Sequence, residues 1–207
     1  MQVEAVIFDI GNVLTRWQPE AFYDRVIGAD RRQALFAEVD LHAMNEIVDA
    51  GGLFRETIYG WADRHPGWGA EIRMWYDRWI ELASPRIEGS IALLRALRAK
   101  GVPVFSLTNF GSYSYEEARG KLDFLSEFDR EYISGRMGVT KPDPRIYQMV
   151  EDDCGIAPGR LLFTDDKVEN IAAAAARGWQ VHPFETWEGW AARLVAAGLL
   201  DEREAGL

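Results

Sequence analysis

The segment FDIGNVL, residues 8 to 14, sets Asp9 against the end of an apolar run and follows it with a glycine turn. Three other places repeat that juxtaposition. Thr108 and Asn109 follow VFSL, Asp165 and Asp166 follow LLF in LLFTDDKVENI, and Lys141 stands in GVTKPDPRIYQ just before a helix start marked by Pro142 and Pro144. Taken alone, each has an ordinary explanation. An aspartate after a strand satisfies turn amides, Thr-Asn builds turns, adjacent acids cap a helix, and a lone lysine is a solvated surface group. Brought to one rim, three acids, a hydroxyl with an amide, and a lysine make a nucleophile, a divalent-cation site and a positive clamp for phosphate. Asp9 and Asp166 offer the hard oxygen ligands that Mg²⁺ prefers, and Lys141 offsets crowded carboxylates.

The elements that must position these residues are legible from periodicity. VEAVIF, residues 3 to 8, is a short β-branched and aromatic run stopped by Asp9 and Gly11, which predicts a buried strand. Residues 16 to 83 show no clear strand but several amphipathic patterns, such as AEIRMWYDRWIELA, with Ile72, Trp75, Tyr76 and Trp79 at helical spacing. This stretch holds five of the eight tryptophans (Trp17, Trp61, Trp68, Trp75 and Trp79), which the burial habits of large aromatics assign mostly to the core of a small helical unit. After Pro85, strand and helix alternate: helix 89–100, strand 102–108, helix 112–121, strand 128–133, helix 144–153, strand 160–164, helix 168–177, strand 179–184 and a last helix 187–197. Such alternation predicts an α/β fold, a Rossmann-like parallel sheet with helices on both faces. The expected division is a core of residues 1–15 and 84–207 with a helical insertion at 16–83. Ligands of an open parallel sheet sit outside the carboxyl ends of its strands, where the four polar signals fall.

Bulk properties exclude several classes. At 207 residues the chain is long enough to bury roughly 70% of its unfolded surface. With 33 acidic against 23 basic residues the net charge is -10, which opposes binding to nucleic acid or an anionic membrane, so a phosphate must meet a local positive site. One cysteine, Cys154, leaves no internal disulfide, and the histidines, His42, His65 and His182, are too scattered for a zinc site. No apolar stretch approaches the ~18 residues of a bilayer span, and MQVEAVIFD lacks signal-peptide features, so a cytoplasmic protein is expected.

In order and spacing, VIFDIGNVL, FSLTN, VTKPDPRIY and FTDDKVENI resemble the four motifs of the haloacid dehalogenase superfamily, mostly Mg²⁺-dependent phosphatases. The resemblance covers about residues 1 to 15 and 84 to 200, and residues 16 to 83 resemble the helical cap that this superfamily inserts after its first motif. It implies that Asp9 attacks phosphorus to form an aspartyl phosphate, that Thr108 and Asn109 hold phosphoryl oxygens, and that Lys141 neutralises charge on them and on Asp9. Mg²⁺ would be carried by Asp9, the Gly11 carbonyl and Asp166, with Asp165 beside them. Asn12, Trp17, His42 and Asn45 join the candidates for substrate contact.

The phosphatases of this superfamily commonly carry a second aspartate, as acid and base, two residues after the nucleophile. Here Gly11 stands in that place, as in subgroups with a D-x-G-N-V first motif. Acid and base help is typically worth ~10² to 10⁴ in rate, and its source is left open among water on the metal, the substrate itself and a residue such as His42. The expected activity is Mg²⁺-dependent hydrolysis of a small phosphomonoester, such as a sugar phosphate or nucleotide. The alternatives are a metal-independent 2-haloacid dehalogenase and a non-catalytic phosphate-binding or interaction protein on the same scaffold; the paired acids of TDDKVEN weigh towards the phosphatase. The sequence specifies no oligomeric state.

Overall fold

A computed structural model describes residues 2–207. Five strands, β1 (Ala5–Phe8), β2 (Val104–Thr108), β3 (Arg130–Ile133), β4 (Leu161–Asp165) and β5 (Gln180–Pro183), form one sheet in the order β3-β2-β1-β4-β5, with every neighbouring pair parallel. Every residue of β1, β2 and β4 is buried, as expected of a parallel sheet covered on both faces. Alternation along the strands sorts their side chains into two cores. Val6, Phe8, Val104 and Leu162 face one, while Ala5, Ile7, Phe105, Leu107, Leu161 and Phe163 face the other.

Helices α1 (Pro19–Ile27), α2 (Ala29–Glu38), α3 (Leu41–Asp49), α4 (Phe54–Arg64) and α5 (Gly69–Asp77) fill the chain between β1 and the sheet's next crossover. The crossovers are α6 (Glu88–Ala99), α7 (Ser112–Arg119), the short α8 (Ser134–Met137) with α9 (Pro144–Cys154), and α10 (Val168–Ala176), and α11 (Trp187–Ala196) follows β5. α6 and α11 cover the first core, where Trp190 stands edge-on to Phe8 with ring centroids 5.6 Å apart; α9 and α10 cover the second. α9 shows how local chemistry sets an end: the Asp143 side chain accepts from the Arg145 amide, Pro144 occupies the first turn, and Gly155 closes the helix at φ 68°.

The chain leaves β1 towards β2 on one side and returns across it to β4 on the other. The carboxyl ends of β1 and β4 therefore flank the crevice where strand order reverses. This puts the ends of FDIGNVL and LLFTDD side by side.

Two expectations differ in detail. The helix read from AEIRMWYDRWIELA ends at Asp77, and a 3₁₀ turn, Trp79–Glu81, follows. Arg78 leaves the helical region at φ -129° and pairs with Glu81 three residues on, Nε to Oε1 at 2.7 Å, a spacing that 3₁₀ geometry favours. The break turns Trp79 to meet Phe110 edge-on at 5.7 Å. Of the five tryptophans in this stretch, Trp75 and Trp79 are core, whereas Trp17, Trp61 and Trp68 are only half-buried. The short α8 and the 3₁₀ turn Asp123–Glu127 carry too few residues for a periodic signal.

Phe8 carries the first core up to the residue before Asp9. Phe8→Ala should lower unfolding free energy by about 3–5 kcal/mol, the usual cost of emptying a phenylalanine site, read as a lower urea midpoint with an unchanged slope.

Candidate active site

The site begins with a register. The Asp9 amide donates to the Thr164 carbonyl at 3.0 Å, which sets Asp9 beside Asp165 at the ends of neighbouring central strands. The chain then turns through Asn12, the one non-glycine residue at positive φ (56°) among the described residues, a conformation that asparagine tolerates well. Both ends of its side chain are used: Oδ1 accepts from the Trp17 amide at 3.0 Å and Nδ2 donates to Asp166 Oδ2 at 2.9 Å.

Lys141 is 4% exposed. Its ammonium meets Asp9 Oδ1 at 3.0 Å and donates to Asp165 Oδ2 at 2.6 Å and to the Leu107 carbonyl at 2.9 Å, so its three donors have three acceptors. Asn109 holds the lysine's backbone, donating from Nδ2 to the Lys141 carbonyl at 2.9 Å and accepting the Lys141 amide on Oδ1 at 2.8 Å. Asp165 is wholly buried. Besides Lys141 it accepts from the Lys167 amide at 2.8 Å and from Asn170 Nδ2 at 3.0 Å on each oxygen.

Burial pushes the Asp9 carboxyl up to about 7; Lys141 pulls it down, and Asp165 and Asp166 add to the rise. Asp166 is raised as well, by burial first and by Asp165, against the Asn12 hydrogen bond. Burial disfavours the Lys141 charge, yet Asp165 and Asp9 outweigh it and raise its pKa.

Asp9, Asp165 and Asp166 bring carboxylate oxygens within 4.8 Å of one another, and when all three are ionised the one ammonium among them leaves two negative charges in excess. That surplus and an all-oxygen donor set suit a hard divalent cation. Protein donors already occupy the lone pairs of Asp165, whereas Asp9 and Asp166, held by Lys141 and Asn12, keep acceptor sites towards the cavity, with Gly11 in the same wall.

The cavity above these groups measures about 470 Å³. Asp9, Gly11, Asn12, Thr108, Asn109, Lys141 and Asp166 line its floor, and Trp17, His42, Asn45, Asp49, Trp75 and Trp79 reach it from the helical insertion. The expected residues thus converge, with three changes of part. Asp165, expected among the metal ligands, lies behind the wall and anchors Lys141; Asn12 and Asn109, expected to touch substrate, spend their amides on Asp166 and on the Lys141 backbone. His42 sits at the rim with its side chain 52% exposed, paired with Glu20 at 3.1 Å.

Sequence reasoning passed over Asn170 and Asp49. Asn170 lies in the first helical turn after the paired acids, and that position was its signal. Asp49 is the last residue of α3, ahead of Gly51 and Gly52, where the negative end of a helix disfavours a carboxylate. Burial pushes the Asp49 carboxyl up to about 7 against Lys167; Glu46 and Asp9 add to the rise, and the Gly111 amide opposes it.

Residues 3–178 match the family of haloacid dehalogenase-like hydrolases. The chain belongs to that family. It is 26% identical over 184 residues to the sesquiterpene phosphatase astK of Aspergillus oryzae, across 84% of this chain and 86% of that one. It is 29% identical over 183 residues to the drimenol cyclase drtB of Aspergillus calidoustus, across 85% of this chain but only 33% of that protein. The fold is shared with a family member from Bacteroides thetaiotaomicron crystallised with magnesium and inorganic phosphate (TM-score 0.68, 20% identity, 89% of this chain and 95% of that one). It is shared also with the L-2-haloacid dehalogenase of Xanthobacter autotrophicus (TM-score 0.63, 18% identity, 99% and 87%). One scaffold hosts both chemistries, so the side chains must decide between them.

Lys141→Met, which removes the ammonium but keeps much of the volume, leaves Asp9 and Asp165 as unpaired buried acids. It should cost about 3–5 kcal/mol of stability, measured by denaturant titration.

Proposed function

We propose that this protein is a Mg²⁺-dependent phosphatase of small phosphomonoesters, with Asp9 as covalent nucleophile. The observation that carries the reading is the charge arrangement: a buried lysine fixed between Asp9 and Asp165, and an acid surplus shared by Asp9 and Asp166. Any anionic substrate approaching that surplus is repelled until a cation compensates it. Displacement of halide from a haloacid, itself a carboxylate, needs no metal and would have to proceed against that repulsion.

In this reading a bound Mg²⁺, held by Asp9, Asp166 and the Gly11 carbonyl, supplies charge neutralisation at the phosphoryl oxygens. The residues of the chain do the rest. Lys141 holds one oxygen of Asp9, leaving the other to attack phosphorus, and its charge favours the ionised nucleophile against the effect of burial. Asn12 holds Asp166, Asn109 holds the backbone of Lys141, and Thr108 offers a hydroxyl at the floor. Catalysis is then mainly positioning and electrostatics around the transferred group. The insertion closes the cavity over the leaving group, with Trp17, Trp75 and Trp79 as apolar walls and Asn45 and His42 as polar contacts. Flat aromatic walls interleaved with polar groups suit the ring and hydroxyls of a sugar or base.

A panel of phosphomonoesters and 2-haloacids, assayed with Mg²⁺ and with excess chelator, tests the reading. Phosphate release should require the metal, and Asp9→Asn should lower turnover by ~10⁴-fold or more with the fold intact. Halide release in chelator, or phosphate release that survives it, would overturn the proposal.

A further inference from the structure

An alkoxide is a poor leaving group at neutral pH, so cleavage of an alkyl phosphate calls for a positioned acid. Most titratable groups around the cavity are otherwise engaged. Asp9 is the attacking group, Lys141 has all three donors occupied, and Asp166 is held by Asn12. His42 is paired with Glu20 at the rim, and Glu46, Lys167 and Glu169 are exposed to solvent. We propose that Asp49, on the cavity wall formed by the helical insertion, donates the proton to the leaving group and then serves as base to the attacking water. The proposal rests on the phosphatase reading.

Two sets of contacts fix Asp49. Its backbone is docked on the sheet's loops: Ser134 Oγ donates to the Asp49 carbonyl at 2.6 Å while accepting the Phe110 amide at 2.9 Å. The approach leaves no room for side chains, since a Cβ on Gly111 would lie 2.4 Å from Val48 Cγ1 and one on Gly51 would lie 3.2 Å from the Gly135 carbonyl oxygen. The end of α3 is thus seated beside the loop that follows Thr108 and Asn109. Its side chain is aimed by a relay in which Trp75 Nε1 donates to Asn45 Oδ1 at 3.1 Å, orienting the amide so that Nδ2 donates to Asp49 Oδ2 at 2.9 Å.

The charged groups facing Asp49 are Lys167 at the start of α10, Glu46 one helical turn back, and Asp9 across the cavity. Burial is the largest influence and, with Glu46 and Asp9, it prevails over Lys167 and the Gly111 amide, so that both protonation states are populated near neutrality. A group that must give a proton in one step and take one in the next works best in that range.

The steps balance. A carboxylate oxygen of Asp9 forms a bond to phosphorus as the ester P–O bond breaks; the electron pair leaves on the ester oxygen, which takes the Asp49 proton to become the free alcohol. Water then attacks phosphorus, Asp49 carboxylate takes its proton, and the P–O bond to Asp9 breaks with the pair returning to the carboxylate, releasing inorganic phosphate.

The test uses leaving groups of different need. p-Nitrophenolate departs without a proton and butoxide does not. Asp49→Asn, close in shape, should lower kcat/KM for n-butyl phosphate by ~10² to 10⁴-fold and that for p-nitrophenyl phosphate by less than about tenfold. The variant should also show a burst of p-nitrophenolate, because hydrolysis of the aspartyl phosphate loses its base. In the wild-type enzyme, which needs no variant to fold, the ratio of kcat/KM for butyl to nitrophenyl phosphate should fall about tenfold per pH unit above the Asp49 pKa, as the acid form disappears. Equal losses on both esters, no loss on either, or a ratio flat with pH would overturn the assignment of Asp49. A wild-type enzyme that cleaves neither ester but releases halide would instead overturn the phosphatase reading beneath it.

Discussion

A lysine buried between two aspartates is the constraint on which the rest of this molecule turns. Removing three charges from water costs several kcal/mol apiece, and only good geometry with complete hydrogen bonding offsets it. Lys141 meets that demand with Asp9, Asp165 and the Leu107 carbonyl, which requires β1, β2 and β4 to end at one level and the loop before α9 to arrive between them. The surrounding amides serve the same end. Asn109 fixes the lysine's backbone and Asn170 ties down the far side of Asp165, so neutral amides hold both the lysine and one of its acids.

The sheet and the helical insertion contribute different chemistry to one cavity. The strand ends bring the charges, concentrated and partly unpaired; the insertion brings tryptophan faces and the Asn45–Asp49 pair. Separating the two explains how the charged floor can stay rigid while the opposite wall is free to be remodelled. The second core, built on Ala5, Ile7, Leu107 and Phe163, lies on the other face from Phe8 and Trp190, so the floor is braced from both sides of the sheet.

Much of this was legible in the sequence because periodicity reports which face of an element is buried. Strand and helix alternation after Pro85 gave the sheet, and polar residues at strand ends gave Asp9, Lys141 and Asp166. What periodicity does not report is which polar atom meets which. Asn12 and Asn109 have the right composition for ligand contacts, yet the backbone geometry hands their amides to Asp166 and Lys141. The early end of α5 at Asp77 hinges on an Arg78–Glu81 pairing within a pattern that otherwise continues. Asp49 was hidden for another reason: its neighbours Ser134 and Gly111 lie at least 60 residues away along the chain, and only the tertiary structure brings them to it.

Thr15 and Arg86, at the two edges of the insertion, pair in an isolated antiparallel bridge, and the Thr15 hydroxyl donates to the Ala83 carbonyl at 2.7 Å. The excursion through α1 to α5 therefore leaves and rejoins the sheet at neighbouring points. A loop whose ends already touch can change length at little entropic cost, each doubling adding only about 0.6 kcal/mol. The strand register beneath need not respond to what is threaded between those points. The bridge acts as a socket, through which helical units of other sizes and linings can be exchanged over one preserved floor.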